Sequence, residues 1–163
     1  NNGVLDIIGG ELSESALLLC AFILSRSDLF SGKSVLELGS GVGLPGLLLS
    51  TLKIIHQDQG SVTLSDNDPR VVTTLNQTIE NQFKLYSAKQ SITNNQTNNF
   101  TPINTRLLDW SIFMDCTEDN LYPGSPHPAA VALEQTRTGC QMIIGCELCY
   151  APYHARCLAE LLK

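Results

Sequence analysis

The chain has 163 residues, the length of one domain with room for a sizeable core. An apolar share of 43% with 16% charged residues marks a globular chain and excludes a disordered one. The net charge of −6 argues against non-specific binding to nucleic acid or to an anionic membrane, and leaves basic protein segments as partners.

No stretch has the apolar length of a membrane span, and the first residues lack the basic-then-apolar order of a secretory signal. Six cysteines are scattered, several in apolar runs (Cys20, Cys140, Cys146), as expected of free thiols in a reducing compartment, cytoplasmic or nuclear. Cys146 and Cys149 have C-x-x-C spacing. One pair cannot complete a zinc site and no histidine-rich segment joins it, so two strand-end cysteines and no metal are expected.

In chain order, residues 1–10 read as an extended lead-in closing on a Gly9-Gly10 turn. A helix is expected over 12–29, with Ser13 as its cap, Glu11 and Glu14 near its positive end, and Leu17, Leu18, Phe22 and Ile23 at helical spacing. Ser31-Gly-Lys33 breaks that pattern. A short apolar strand then runs into the glycines at 39, 41 and 43, and a helix follows to about Ile55. The second strand is Val62–Ser65, ending at Asp66. Asp68 and Pro69 read as the cap and first position of a helix through Val71, Val72, Leu75 and Ile79. Residues 87–101 are polar, almost uncharged, and expected to be a loop insertion. A third strand over 102–108 stops at Asp109-Trp110, and a second insertion, acidic and then rich in Pro and Gly, spans 114–139. The fourth strand is 141–146, with Glu147 to Tyr150 at its end, and a last helix is expected over 154–162.

Strands alternating with helices through long crossovers predict an α/β fold, a mostly parallel sheet with helices on both faces. Right-handed crossovers bring the strand ends to one edge, where open α/β sheets bind ligands. Glu37, Asp66, Asp109 and Glu147 collect there. Singly, each is explained as a cap or a turn former. Together they point to a ligand that carries donors or positive charge.

The glycine loop fits two registers. Gly41, Gly43 and Gly46 match the dinucleotide pattern G-x-G-x-x-G, with Asp66 at a suitable distance. Glu37, Gly39, Gly41 and Gly43 match E-x-G-x-G-x-G, which resembles the first motif of S-adenosylmethionine-dependent methyltransferases. The dinucleotide register leaves Gly39 and Ser40 between strand and first glycine, and leaves Glu37 unexplained in a buried strand. The second register is therefore preferred.

Val35-Leu-Glu-Leu-Gly-Ser-Gly-Val-Gly-Leu-Pro-Gly46, the strand-end Asp66, Leu108-Asp-Trp110 and Glu147-Leu-Cys-Tyr150 together resemble the seven-β-strand protein-lysine methyltransferases, the methyltransferase-like family 16 group. The lead-in Ser15-Ala-Leu-Leu-Leu-Cys-Ala-Phe-Ile-Leu24, Asp28-Leu-Phe-Ser-Gly32 and the long insertion after Trp110 resemble its Kin17 lysine methyltransferase branch. The resemblance implies a Rossmann-like class I methyltransferase fold, S-adenosylmethionine as cofactor, a lysine-bearing protein as substrate, and a monomer. It implies that Glu37, Gly39, Gly41, Gly43, Asp66, Asp109 and Trp110 bind the cofactor, with Glu37 towards the methionine ammonium, Asp66 towards the ribose, and Asp109 and Trp110 towards the adenine. Asp68 is the alternative at the ribose, and a core position is the alternative for Trp110. Glu147 and Tyr150 would serve the target lysine.

Two departures stand out. Leu12 and Ser13 occupy the place where members carry a tryptophan, and strands five to seven of the fold are expected to be missing, so that the chain reads as a C-terminally incomplete domain. The alternatives are methylation of another acceptor (histidine or a small molecule), a non-catalytic binding module of the same fold, and a nicotinamide-dependent oxidoreductase using the other glycine register.

Overall fold

A computed structural model describes residues 10–52, 54–55, 60–93, 101–109, 139–150 and 152–161. The expected lead-in over 1–9, Trp110 and the insertion over 114–138 lie outside the described residues.

Helix α1 is Glu14–Ser25. Ser13 caps it in extended conformation, its Oγ accepting the Ala16 N–H at 3.2 Å. A 3-10 turn over Ser27–Leu29 leads to strand β1, Val35–Leu38. Helix α2 is Leu44–Thr51, strand β2 Val62–Asp66, helix α3 Pro69–Thr93, strand β3 Ile103–Leu107, strand β4 Met142–Gly145 and helix α4 Pro152–Leu161. The strands form one sheet in the order β3-β2-β1-β4, every pair parallel. The described elements thus have the expected α/β architecture, with β1 at its centre and all strand ends on one edge. All four residues of β1 are buried, as a central parallel strand requires.

Helix α2 packs on β1 and β2, α3 on β2 and β3, and α1 on α2. Val35, Leu47, Val62, Leu64, Leu75 and Ile144 lie in the core between them. At its start α2 has Gly43 as N-cap, with φ of 72°, and Pro45 in its first turn. Among the described residues, no helix is long and apolar enough to cross a membrane.

Three expectations are corrected. The buried stripe of α1 is Ala16, Cys20 and Ile23, while Leu17, Leu18 and Phe22 are exposed. Helical spacing alone gives a face of the helix, and α1 meets α2 along the neighbouring one. Helix α2 stops at Thr51, because Ile55 is drawn into the core and its carbonyl accepts the hydroxyl of buried Thr101. Helix α3 runs through residues 87–93, expected as a loop. Nothing between Arg70 and Thr101 is Gly or Pro, so composition made the segment polar without breaking the helix.

Candidate active site

The loop after β1 turns on three alternate glycines, Gly39, Gly41 and Gly43, with φ of 55°, 50° and 72°. Left-handed backbone at every second position is accessible to glycine at no steric cost. Side chains then stitch this loop to β2. The Ser40 N–H bonds the Ser65 carbonyl at 2.8 Å, the Ser65 N–H bonds Ser40 Oγ at 2.9 Å, and the Ser65 hydroxyl donates to the Glu37 carbonyl at 2.7 Å.

Asp66, at the end of β2, is buried and fixes two turns at once. Its Oδ2 accepts the Gly41 N–H at 3.1 Å and its Oδ1 accepts the Asp68 N–H at 3.0 Å. Each carboxylate oxygen has a second lone pair, so both remain able to accept from a ligand hydroxyl. Asp68 caps α3 through the Arg70 N–H at 2.8 Å and pairs with the Arg70 side chain, which holds its carboxyl below the usual range.

The sequence places Glu37 at the strand end, towards a cationic ligand group. It lies under α2 instead, 2% exposed, with Oε2 accepting the Gly46 N–H at 2.9 Å. Burial pushes its carboxyl up to about 8, against the pull of that N–H.

At the end of β4, Glu147 has a φ of 53°. Its Oε1 accepts the Ser15 hydroxyl at 2.5 Å, joining the first turn of α1 to the strand end. Tyr150 is exposed, and its N–H donates to His154 Nδ1 at 3.0 Å. The rings of Tyr150 and His154 meet edge to face at 6.0 Å, and those of Tyr153 and His154 at 4.2 Å. Partial burial pushes the Tyr150 phenol up, and the charges of Glu147 and Asp66 and the Cys146 thiol add to it. Burial also raises the Cys146 thiol, as do the Glu37 and Glu147 charges, against a hydrogen bond with Ser15. These groups therefore share one electrostatic neighbourhood.

The ends of β1, β2 and β4 converge as expected, bringing the glycine loop, Asp66, Glu147 and Tyr150 together. Asp109 follows β3 directly after Leu108, whose N–H bonds the Asp66 carbonyl at 2.8 Å. It is exposed, and its charge adds to the burial that raises the Cys157 thiol on α4. Among the described residues, no group of three or more His, Cys, Asp and Glu side chains is placed to hold a metal.

A family model described as lysine methyltransferase matches residues 1–121. The chain belongs to this family. An uncharacterised protein of Dictyostelium discoideum is 28% identical over 169 residues, covering 99% of this chain and 42% of the relative. Mouse methyltransferase-like protein 22 is 46% identical over 48 residues, 29% of this chain and 12% of that protein. Calmodulin-lysine N-methyltransferase of Arabidopsis thaliana is 38% identical over 63 residues, 39% of this chain and 19% of that protein. The chain spans less than half the length of each of these relatives.

Sequence reasoning missed four participants. Ser40 and Ser65 look like ordinary loop and strand serines, although their short polar side chains beside a glycine turn are typical of backbone stitching. His154 enters the sequence reading only as the start of the last helix, and its ring anchors the Tyr150 backbone. Ser15 enters only as part of the first helix, since its partner lies 132 residues away.

Proposed function

We propose that this chain forms the cofactor-binding part of an S-adenosylmethionine-dependent protein-lysine methyltransferase. The convergence of the glycine loop, Asp66, Glu147 and Tyr150 on one sheet edge, in a chain of this family, carries the reading. The donor set fits the cofactor. Its ribose hydroxyls, amines and sulfonium are donors or positive charges, and the edge offers buried Asp66 beside a glycine loop that lets a ligand approach bare backbone. When bound, the cofactor supplies an electrophilic methyl group.

In this reading Gly39, Gly41 and Gly43 form the floor of the cofactor pocket and Asp66 accepts from the ribose. Glu37 sets the loop from beneath through Gly46. Asp109 and Trp110 serve the adenine. Glu147 receives the lysine ammonium, and Tyr150, whose raised phenol stays neutral and able to donate, walls the lysine channel. The amine must shed its proton to water before it attacks, so alignment and exclusion of solvent supply most of the rate.

The test uses the full-length protein with tritiated S-adenosylmethionine and extract from cells that lack it, followed by hydrolysis to identify the labelled residue. Label on lysine, lost in Glu147→Ala, is expected. Label on histidine would move the acceptor, and failure to bind S-adenosylhomocysteine would overturn the reading.

A further inference from the structure

Glu147 is the sole non-glycine residue with positive φ among those described. A left-handed backbone at such a residue costs on the order of 1 kcal/mol or more and persists where its surroundings over-determine it. What holds the side chain is the first turn of α1. Ser15 Oγ donates to Glu147 Oε1, Ser15 Oγ lies 3.0 Å from Ser13 Oγ, and Ser13 Oγ accepts the Ala16 N–H.

Proton counting gives this row a direction. An ionised carboxylate only accepts, so the single hydroxyl proton of Ser15 goes to Glu147, and the Cys146 thiol, which also bonds Ser15, is left to donate to its oxygen. The Ser15 oxygen is then the acceptor in the serine pair, and Ser13 donates to it. The Ala16 N–H, at the positive end of α1, feeds the other end of the row. Three donors thus point one way, each polarising the next, and finish on a single carboxylate oxygen. Glu147 as a whole is exposed, which leaves Oε2 for a cation outside.

We propose that Ser15 is a positioning residue for Glu147: it fixes the direction in which the carboxylate meets the acceptor ammonium, with Ser13 orienting Ser15 in turn. This rests on the reading that Glu147 faces the acceptor. A purely structural Ser15, pinning α1 to the end of β4, would act independently of that carboxylate.

A double-mutant cycle separates the two. Full-length wild type, S15A, S15T, E147Q and S15A/E147Q are compared by the initial rate of tritium transfer from S-adenosylmethionine to lysine in the same extract. Binding of S-adenosylhomocysteine is measured alongside by calorimetry. S15A is expected to slow transfer about tenfold, the loss typical of a hydrogen bond to a charged group. S15T, which keeps the hydroxyl, recovers most of the rate, and the double variant is no slower than E147Q. Affinity for S-adenosylhomocysteine is unchanged in S15A. Wild-type transfer by S15A while E147Q is impaired overturns the proposal, as do losses that multiply in the double variant. Full activity of E147Q instead overturns the role of Glu147, and a wild type that labels no lysine overturns the enzyme reading. Either result removes the positioning role with it.

Discussion

Glu37 reaches from the central strand to the third residue of α2, where its Oε2 accepts the Gly46 N–H at 2.9 Å. The contact caps a helix start from across the sheet and ties the two sides of the glycine loop together. It also explains why position 46 is glycine. A Cβ there would stand 2.2 Å from Leu64 Cδ2, 2.6 Å from Glu37 Oε2 and 3.1 Å from Val62 Cγ1. The carboxyl sits where solvent does not reach, so its protonation is coupled to folding.

That coupling has a definite sign. Folding raises the Glu37 carboxyl from the ordinary 4.5 to about 8. Between those values the native state keeps a proton that the unfolded chain has released, so stability falls as pH rises across the window. Gln at this position still accepts from Gly46 and never ionises. Urea unfolding of Glu37→Gln at pH 5.5 and 8.5 is expected to lose less stability with rising pH than wild type, by a few kcal/mol. Parallel curves for the two proteins would show that Glu37 does not titrate in this range.

Gly46→Ala tests the close approach of α2 to the sheet. Two of the crowded atoms are ends of core side chains and one is the capping carboxylate, so α2 must move or Glu37 must give up its bond. A loss of about 1–3 kcal/mol is expected, the usual cost of overpacking. The midpoint of urea unfolding measures it. A stabilised variant, as helix propensity alone would give, would contradict the tight seam.

Asp66→Asn separates charge from shape. Both oxygens of Asp66 accept backbone N–H groups, from Gly41 and Asp68. An amide offers one acceptor and one donor, so one of these N–H groups would face another donor. The glycine loop should loosen, with a stability loss of about 1–3 kcal/mol and weaker binding of S-adenosylhomocysteine. Thermal unfolding and calorimetry check the two effects. Unchanged affinity would separate the ribose role from Asp66.

Local signals made part of this legible. The first strand, the glycine loop and the Ser13 and Asp68 caps are each written within a few residues, and the structure has them all. The parallel sheet follows from strand spacing and right-handed crossovers. What stayed hidden is long-range. The Ser15–Glu147 bond joins residues 132 apart, and Glu37 turns under α2 because a glycine nine positions later lets it. Composition misled over 87–93, where polarity suggested a loop although no residue there breaks a helix. It misled on α1 too, where large apolar side chains suggested the buried face and the smaller Ala16 and Cys20 occupy it.

His154→Ala tests how Tyr150 is held. The Tyr150 N–H donates to His154 Nδ1, which leaves the ring proton on Nε2 and makes the imidazole an acceptor for the turn before α4. The ring also stands edge to face against both tyrosines. Removing it leaves an exposed turn without its anchor, so global stability should change by less than about 1 kcal/mol, as for other surface substitutions. Lysine labelling should fall several-fold while S-adenosylhomocysteine binds as before, because Asp66 and the glycine loop are untouched. Asn at 154 carries an acceptor oxygen near the place of Nδ1 and should restore part of the rate. Equal activity of the Ala variant and wild type would mean that Tyr150 needs no such anchor. A loss of cofactor affinity in place of lysine labelling would put this turn on the cofactor side of the site.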